Sequence, residues 1–528
     1  MGETERAVTR RAGIVGLGTL ASRILGLVRD SVIAALFDKQ ATDAFWVAFV
    51  IPNSFRRLTA EGAFSISVVS VFSKTWAKGD LEEARRFVAV TSGFSILVLG
   101  ALTAAGMLGA QGLTWLAGQG FSDDPVKFSL AVSLTRSMFP YMLLISLTAL
   151  AMGLLNSAGR FFSPAFAPVL LNVATIACAF GLGGTLHGMG LHPVYSLAIG
   201  TVVGGAAQLA LQIPSLRALK LLVRPAIDFG HAGLRKVLTL TLPMVFGAAA
   251  YQVGLFISST LASSLGPGSV TYIQFATRLM ELPLAVLVMA ISTAALPSLA
   301  AMRGEGRMDD LKRTYGHSLR LALFVSTPAM VALVVLSEPI MTVLYQRGLF
   351  THADVIETAG ALSWMAVGTC SVALVRQTVP VFYAIENTRT PVLMTVANIV
   401  IYVAAALPLM GPFGQRGLCM ALSIAATAQG LGLFALLRGR LGRLGGRSLA
   451  FAWLRMLLAC APMAAAAWGV SLLGRWERGG NSPRNLAALA LAVVVGVAVY
   501  ATVAYALRIP EMRDITGAVE RRLARRRA

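Results

Sequence analysis

Apolar stretches of about 20 residues or more follow one another along the whole sequence, separated by short segments rich in Gly, Pro, Asn or charged residues. A helix needs about 20 mainly apolar residues to cross the hydrocarbon core of a bilayer. Only 13% of the 528 residues are charged, whereas soluble proteins carry about 25%. The sequence therefore predicts a polytopic membrane protein. It excludes a soluble multidomain enzyme, a disulfide-linked secreted scaffold and a disordered chain.

The spacing of these stretches predicts an all-α membrane protein with fourteen transmembrane helices and almost no soluble domain. The predicted helices cover residues 12–37, 43–73, 86–117, 127–155, 160–186, 191–222, 233–264, 269–302, 314–346, 353–386, 390–411, 415–438, 450–474 and 484–508.

Basic residues are distributed unequally between the two sides that these helices define. Segments on the side of the N-terminus contain 31 of the 45 Lys and Arg residues, and segments on the opposite side contain seven. Cytoplasmic loops carry the excess of Lys and Arg, so both termini are predicted to be cytoplasmic. The seven residues on the opposite side are Lys39, Lys127, Arg347, Arg416, Arg475, Arg478 and Arg484.

The seven remaining basic residues fall inside predicted helices, and all are Arg. Three acids, Asp30, Glu61 and Glu281, fall at similar depth, so the predicted membrane interior carries a net positive charge. A charge at bilayer depth costs about 2.5–3.5 kcal/mol on insertion scales, and each Arg there needs a compensating partner. The seven are Arg23, Arg29, Arg56, Arg57, Arg136, Arg278 and Arg376.

Helical spacing separates these arginines into two groups. Arg57 lies four residues before Glu61 and Arg278 three before Glu281, so each pair is compatible with a structural ion pair as well as with a substrate site. Arg23 lies two turns from Asp30, too far for direct contact unless both side chains bend. Arg136 and Arg376 are compatible with snorkelling or with lining a water-filled path.

Arg29 and Arg56 have no acid at a helical neighbour spacing. We therefore expect them to bind a mobile anion. A guanidinium stays charged and presents a planar fork of donors that matches phosphate oxygens. Several such groups around one cavity suit a pyrophosphate-sized anion better than a monocarboxylate.

Short matches recur in one order about 226 residues apart, for example Arg160, Ser163 and Asn172 against Arg389, Thr390 and Asn398. The repeat predicts an N-lobe at 1–225 (helices 1–6) and a C-lobe at 226–441 (helices 7–12). Helices 13 and 14 at 442–510 fall outside the repeat and precede a basic cytoplasmic tail at 511–528. Parallel six-helix repeats place a substrate cavity between the lobes near the middle of the membrane.

Other chemistry has little support in the sequence. The five His residues fall in or near loops without a zinc ligand set, and the sequence contains no Walker motif, no H-E-x-x-H and no plausible Ser/His/Asp set. We expect no resident metal and no cofactor. The basic C-terminal tail is interpreted as an anchor on anionic lipid headgroups rather than a nucleic-acid site.

Three helices carry blocks that resemble the MurJ (MviN) lipid II flippase family. The blocks are SRILGLVRD (22–30) in helix 1, TDAF (42–45), PNSFRR (52–57) and AEGAFS (60–65) in helix 2, and RLMELP (278–283) and LPS (296–298) in helix 8.

The resemblance implies the fold of the multidrug/oligosaccharidyl-lipid/polysaccharide exporter superfamily, in the bacterial inner membrane. It implies lipid II, an undecaprenyl-pyrophosphate carrying a disaccharide-pentapeptide, as the substrate moved outward for peptidoglycan synthesis, with helices 13 and 14 forming a groove for the polyprenyl tail. Expected partners are lipid II and membrane lipids, with cell-wall synthesis proteins as further candidates, for a chain acting as a monomer.

The resemblance also implies roles for individual residues. The substrate-binding residues carried over are Arg23, Arg29, Arg56 and Arg278; the accompanying acids are Asp30, Asp43, Glu61 and Glu281; and Arg57 and Asn53 are secondary candidates.

One family feature is missing from the sequence, and three other functions compete with the one above. Some relatives bind sodium with acids on helices 7, 11 and 12, but residues 233–264, 390–411 and 415–438 contain no Asp or Glu. The energy source is thus open among membrane potential, protons and another ion. The alternatives are a flippase for another polyprenyl-linked oligosaccharide, a drug/cation antiporter of the same fold, and an integral-membrane enzyme acting on polyprenyl phosphates, for which Asp123-Asp124 is the only acidic candidate.

Overall fold

The computed structural model describes residues 3–59, 63–284 and 288–512, and every extended regular element within these residues is a helix. In chain order the helices are α1 (Glu3–Leu36), α2 (Lys39–Thr59), α3 (Ala63–Ala77), α4 (Leu81–Leu108), α5 (Ala110–Ala117), α6 (Pro125–Ser157), α7 (Phe162–Gly188), α8 (Tyr195–Ala218), α9 (Ala232–Ser263), α10 (Ser269–Pro283), α11 (Met289–Gly304), α12 (Met308–Val335), α13 (Ser337–Tyr345), α14 (His352–Val367), α15 (Thr369–Ala384), α16 (Arg389–Leu441), α17 (Gly446–Ser471) and α18 (Pro483–Ala506).

Many of these helices are suited to a membrane by length and composition. Among the described residues, eight are individually long and apolar enough to cross a bilayer, and the bent pair α14 and α15 raises the number to nine. Large apolar side chains are widely exposed, as at Leu108 (85%) and Phe162 (61%). Water would disfavour so many exposed apolar groups, and lipid tails would not. The protein is therefore a multi-pass helical membrane protein.

Helix starts recur at a nearly constant interval. The starts of α4, α5, α6 and α7 are each followed 227 residues later by the starts of α12, α13, α14 and α16. This interval lies within the range of offsets of the sequence matches. The duplication is therefore visible in the helix boundaries as well as in the residues.

The chain divides into two compact units, Met1–Thr271 and Tyr272–Ala528. In the first unit, α3, α4, α6 and α9 share a core that includes Phe72, Phe87, Leu154 and Val237. α9, which the sequence predicts as the first helix of the C-lobe, packs here against α2 and α3.

In the second unit, α12, α15 and α16 share a core that includes Tyr315, Phe382 and Leu433. A second core joins α17 and α18 to α12, where the Tyr500 hydroxyl donates to the Phe324 carbonyl at 3.0 Å. These contacts fix the C-terminal helix pair to its own unit.

Three predicted helices are each divided into two shorter helices in the structure. The predicted helix 86–117 is divided between α4 and α5, 314–346 between α12 and α13, and 353–386 between α14 and α15. Gly109 and Gly368 lie at two of these breaks. The helices predicted at 390–411 and 415–438 lie on either side of Gly414 (φ 55°, ψ −135°), whose non-helical backbone marks a kink within α16. Positive φ costs glycine little because it has no Cβ.

Candidate functional site

Arg29 and Asp30 form a buried ion pair on α1. The Asp30 Oδ1 atom accepts from Arg29 Nη2 at 2.7 Å and from Nε at 3.0 Å, and both residues are buried. The Arg29 guanidinium also lies 5.7 Å from the ring centroid of Trp46 on α2, within cation–π range.

The expectation that Arg29 lacks a resident counter-ion is therefore wrong. Spacing rules consider side chains three or four residues apart on a helix. An Arg side chain is long enough to fold back to the next residue, and burial away from water favours that contact because each charge otherwise stays unpaired. Asp30 thus holds the Arg29 fork in place.

Arg56 is stabilised within its own helix. Its Nε donates to Asn53 Oδ1 at 2.9 Å, one turn earlier on α2. The structure thereby links a predicted binding residue to one of the secondary candidates. Arg57 is half-buried beside it. Glu61, its predicted partner, lies outside the described residues.

Arg23 differs from its neighbours. It is half-buried on α1, and the described part of the chain provides it with no hydrogen-bond or ion-pair partner. A partly buried guanidinium without a protein counter-ion is suited to an external anion. Among the predicted site residues of the first unit, Arg23 fits the mobile-anion argument best.

The three arginines of the first unit lie at different distances from the connection between α1 and α2. α1 and α2 are joined by two residues, and Arg29 contacts Trp46, so the two helices form a hairpin. A helix rises 1.5 Å per residue. Arg23 therefore lies about 9 Å, and Arg56 about 15 Å, farther from the connecting turn than the Arg29–Trp46 contact. They form a series of cationic groups along the hairpin.

Arg278 and Glu281 belong to the second unit. They lie one turn apart on α10, and both are half-buried. Of the two remaining helical arginines, Arg136 is exposed and donates from Nε to the Met107 carbonyl at 3.2 Å. Arg376 is half-buried on α15.

Asp43 is the centre of a buried polar cluster in the first unit. Its Oδ2 accepts from Lys127 Nζ at 3.0 Å and from the Gly268 amide at 2.7 Å. Its Oδ1 accepts from the amide and the hydroxyl of Thr271 at 3.0 and 2.8 Å, and Thr42 lies 3.0 Å from that hydroxyl. Both carboxylate oxygens thus accept two hydrogen bonds each, and these bonds connect α2 with α6 and with the first turn of α10.

The partner of Asp43 was not predicted from the sequence, which assigned Lys127 to a loop on the sparsely basic side. In the structure Lys127 is 9% exposed, and its ammonium also lies 4.1 Å from the Phe121 ring centroid. The two charges are 84 residues apart, beyond any helical spacing. The available signal was a lone Lys at the start of an apolar helix.

Long apolar helices that carry arginines define the class of the protein, a polytopic helical membrane protein. The family model described as Lipid II flippase MurJ matches residues 32–480, most of the chain. The chain belongs to the MurJ family.

Individual relatives agree with this membership. A probable lipid II flippase MurJ of Vibrio cholerae is 35% identical over 525 residues, covering 96% of this chain and 97% of the relative. Lipid II flippase MurJ of Burkholderia cenocepacia is 35% identical over 427 residues, covering 80% and 82%. A solved structure of lipid II flippase MurJ in an inward closed conformation has a TM-score of 0.75 at 22% identity and covers 95% of this chain and 99% of that one.

Proposed function

We propose that this protein is a lipid II flippase. It moves the undecaprenyl-pyrophosphate-linked peptidoglycan precursor from the cytoplasmic to the periplasmic leaflet of the bacterial inner membrane, as a transporter rather than an enzyme. The observation that carries the proposal is the identity to MurJ relatives over nearly the whole chain. The arginine series on the α1–α2 hairpin supports it, because the substrate headgroup is a pyrophosphate.

Fourteen membrane crossings with both termini cytoplasmic are part of this proposal. α16 would be about 80 Å long as a single helix, far more than the roughly 30 Å hydrocarbon core, so its two parts count as two crossings. Counting α2 with α3, α10 with α11 and α14 with α15 as one crossing each, and omitting the short α5 and α13, gives fourteen. The distribution of basic residues supports the orientation.

The proposed lobes are residues 1–225 and 226–441, with residues 442–510 adding a groove for the polyprenyl tail. Alternating access by parallel repeats operates through rocking of one lobe against the other. The even number of helices in each repeat and the constant interval between helix starts support this arrangement.

Arg23, Arg29, Arg56 and Arg278 are the proposed pyrophosphate ligands. Arg29 is held in a fixed orientation by Asp30, so its binding geometry is prepared before the substrate arrives. Arg23 supplies a guanidinium with no protein acceptor among the described residues, so it gains most from a phosphate. Membrane potential, negative inside, favours outward movement of net negative charge.

Substituting Arg23 with Ala tests the proposal. The variant is produced in cells depleted of their own flippase, and lipid II at the outer surface is measured by its cleavage with an added enzyme that cannot cross the membrane. We expect outward lipid II to fall at least tenfold, because a phosphate contact with Arg contributes on the order of 1.5–3 kcal/mol.

Arg136→Ala is the matched control, since it removes an Arg from a helix of the same unit where the side chain is exposed and bonded to a backbone carbonyl. We expect it to retain flipping at equal protein level. Normal flipping by Arg23→Ala would contradict the proposed site. Failure of the unaltered protein to restore outward lipid II would contradict the function itself.

A further inference from the structure

The connection between α17 and α18 is hydrogen-bonded throughout, although its only regular structure is the 3₁₀ turn Trp476–Arg478. Asn485 is completely buried beneath it. Its side-chain oxygen accepts from the Arg475 amide at 2.8 Å, and its amide group donates to the carbonyls of Arg475 and Gly479 at 3.0 and 2.9 Å. One side chain therefore fixes both ends of the segment 475–479.

The segment after α13 forms hydrogen bonds with this connection. The Gly480 amide donates to the Gln346 carbonyl at 3.1 Å, and Gln346 Nε2 donates to the Glu477 carbonyl at 3.2 Å. Arg347 follows Gln346 directly. Its Nη2 donates to the Val343 carbonyl at 2.6 Å, and burial lowers the pKa of its guanidinium.

Four arginines are thereby held at one end of the α17–α18 hairpin, since each adjoins or makes one of these contacts. We call them the arginine rim: Arg347, Arg475, Arg478 and Arg484.

The arginine rim is poorly neutralised. Within the described residues, the side chains of Arg475 and Arg478 have no hydrogen-bond or ion-pair partner, and both are exposed. Arg484 donates only from Nε, to the Leu473 carbonyl at 2.7 Å. The buried Nε of Arg347 has no acceptor in the same part of the chain. Glu477 is the single acid in the segment 472–485.

Two other basic residues predicted for this side of the membrane form ion pairs. Lys127 pairs with Asp43 at 3.0 Å, and Arg416 pairs with Glu357 at 3.1 Å. Four of the seven basic residues predicted for the sparsely basic side belong to the arginine rim. The concentration of unneutralised charge at one hairpin end is therefore a local feature and not a property of the whole face.

Apolar side chains adjoin the arginine rim directly. Leu472, Leu473 and Leu486 are each more than half exposed at the ends of α17 and α18. Trp476 belongs to the same connection and donates from Nε1 to the Ser471 carbonyl at 3.1 Å. Tryptophan is enriched where hydrocarbon meets headgroups. Exposed leucines beside cations suit the acyl chains and the phosphate of a phospholipid.

We propose that the arginine rim binds the phosphate headgroup of an anionic phospholipid, with the acyl chains against the exposed leucines. The guanidinium fork matches phosphate oxygens. Backbone contacts hold the segment in place, and Arg347 and Arg484 each use only one side-chain nitrogen on a backbone carbonyl. The site goes beyond lipid II flipping and requires only that α17 and α18 cross the membrane.

Trp476 provides a local reporter for the test. The full chain is reconstituted in phosphatidylcholine vesicles containing, at equal low mole fraction, either brominated phosphatidylglycerol or brominated phosphatidylcholine, whose bromine quenches tryptophan on contact. Subtracting the quenching of Trp476→Phe isolates the signal of Trp476 from the other six tryptophans. We expect the phosphatidylglycerol signal to exceed the phosphatidylcholine signal by roughly fivefold for each engaged arginine.

The double variant Arg475→Gln and Arg478→Gln removes two charges without removing a side-chain contact among the described residues. We therefore expect it to fold normally and to lower the ratio by roughly fivefold for each of the two arginines that is engaged. Arg443→Gln with Arg447→Gln is the matched control, because it removes two exposed arginines at the opposite end of α17 and should leave the ratio unchanged.

A ratio near one in the unaltered protein, or a ratio that the Arg475 and Arg478 changes leave intact, would overturn the proposal. Undecaprenyl diphosphate is added in a further arm, far below the mole fraction of phosphatidylglycerol. Persistence of the quenching supports a phospholipid site. Its loss would assign the arginine rim to the transported lipid class and would likewise overturn the phospholipid assignment.

Discussion

Replacing Asp43 with Ala should be among the most destabilising single changes in the first unit. The change removes the acceptor of four donors and leaves the Lys127 ammonium, 9% exposed, without a counter-ion. Breaking a buried pair by removing one partner costs about 3–5 kcal/mol. Lys127→Met removes the ammonium but leaves the carboxylate three donors, so we expect a smaller loss of about 1.5–3 kcal/mol.

The double variant separates the ion pair from the other contacts. In a Lys127→Met background, Asp43→Ala no longer strands a buried charge, so the two losses should fall short of additivity by about 2 kcal/mol. The measurement is the free energy of unfolding in mixed micelles of a mild detergent and dodecyl sulfate, followed by circular dichroism. Additivity within about 0.5 kcal/mol would refute the reasoning.

Asp124→Ala is a nearby control. Its Oδ1 accepts from the amides of Val126 and Lys127 at 3.1 Å as the N-cap of α6, in an exposed position. We expect a loss of about 1 kcal/mol, additive with Lys127→Met because the cap uses only the Lys127 backbone. A coupling as large as that of Asp43 would show that the cycle does not isolate the ion pair.

Two further predictions concern packing and charge. Gly93→Ala should destabilise the first unit, because an added Cβ would clash with the Ala226 carbonyl oxygen. Gly100→Ala on the same helix meets nothing within 4 Å and should be neutral or stabilising by up to about 1 kcal/mol in thermal unfolding. Equal behaviour of both variants would contradict the close approach. Asp30→Asn should lower the free energy of unfolding by about 3–5 kcal/mol, because Arg29 is left buried and unpaired. Adding Arg29→Gln should recover part of that loss. If the double variant recovers none of the lost free energy, the ion pair does not stabilise the fold.

The helical character of the protein could be predicted from sequence because apolar length is a local property. The breaks within predicted helices were harder to predict. The break between α4 and α5 lies at Gly109 and the break between α14 and α15 at Gly368, whereas α8 contains Gly204 without a break. A residue type that is tolerated at one position and ends a helix at another does so through tertiary packing, which no local pattern contains.

The packing partners of α9 could not be predicted from the sequence either. Its sequence predicts an apolar helix that begins the second repeat, and the repeat in helix starts agrees with the sequence matches. In the structure it contacts α2 and α3. Duplication specifies which helices correspond, but the side chains of Phe72, Phe87 and Val237 decide which helices touch.

The ion pairs of the candidate site were also only partly predictable from the sequence. Counting acids at helical spacings identified the arginines but misjudged Arg29, whose partner is the adjacent Asp30, and missed the pair of Asp43 with Lys127, which depends on two distant helices. Within the described residues, pairing removes these groups from the set of free cations and leaves Arg23 and most of the arginine rim without acidic partners. Net positive charge alone therefore says little about substrate binding in such a protein. The cations that a folded chain leaves unneutralised are the ones on which an anionic lipid can gain binding free energy, and they are the ones to substitute first.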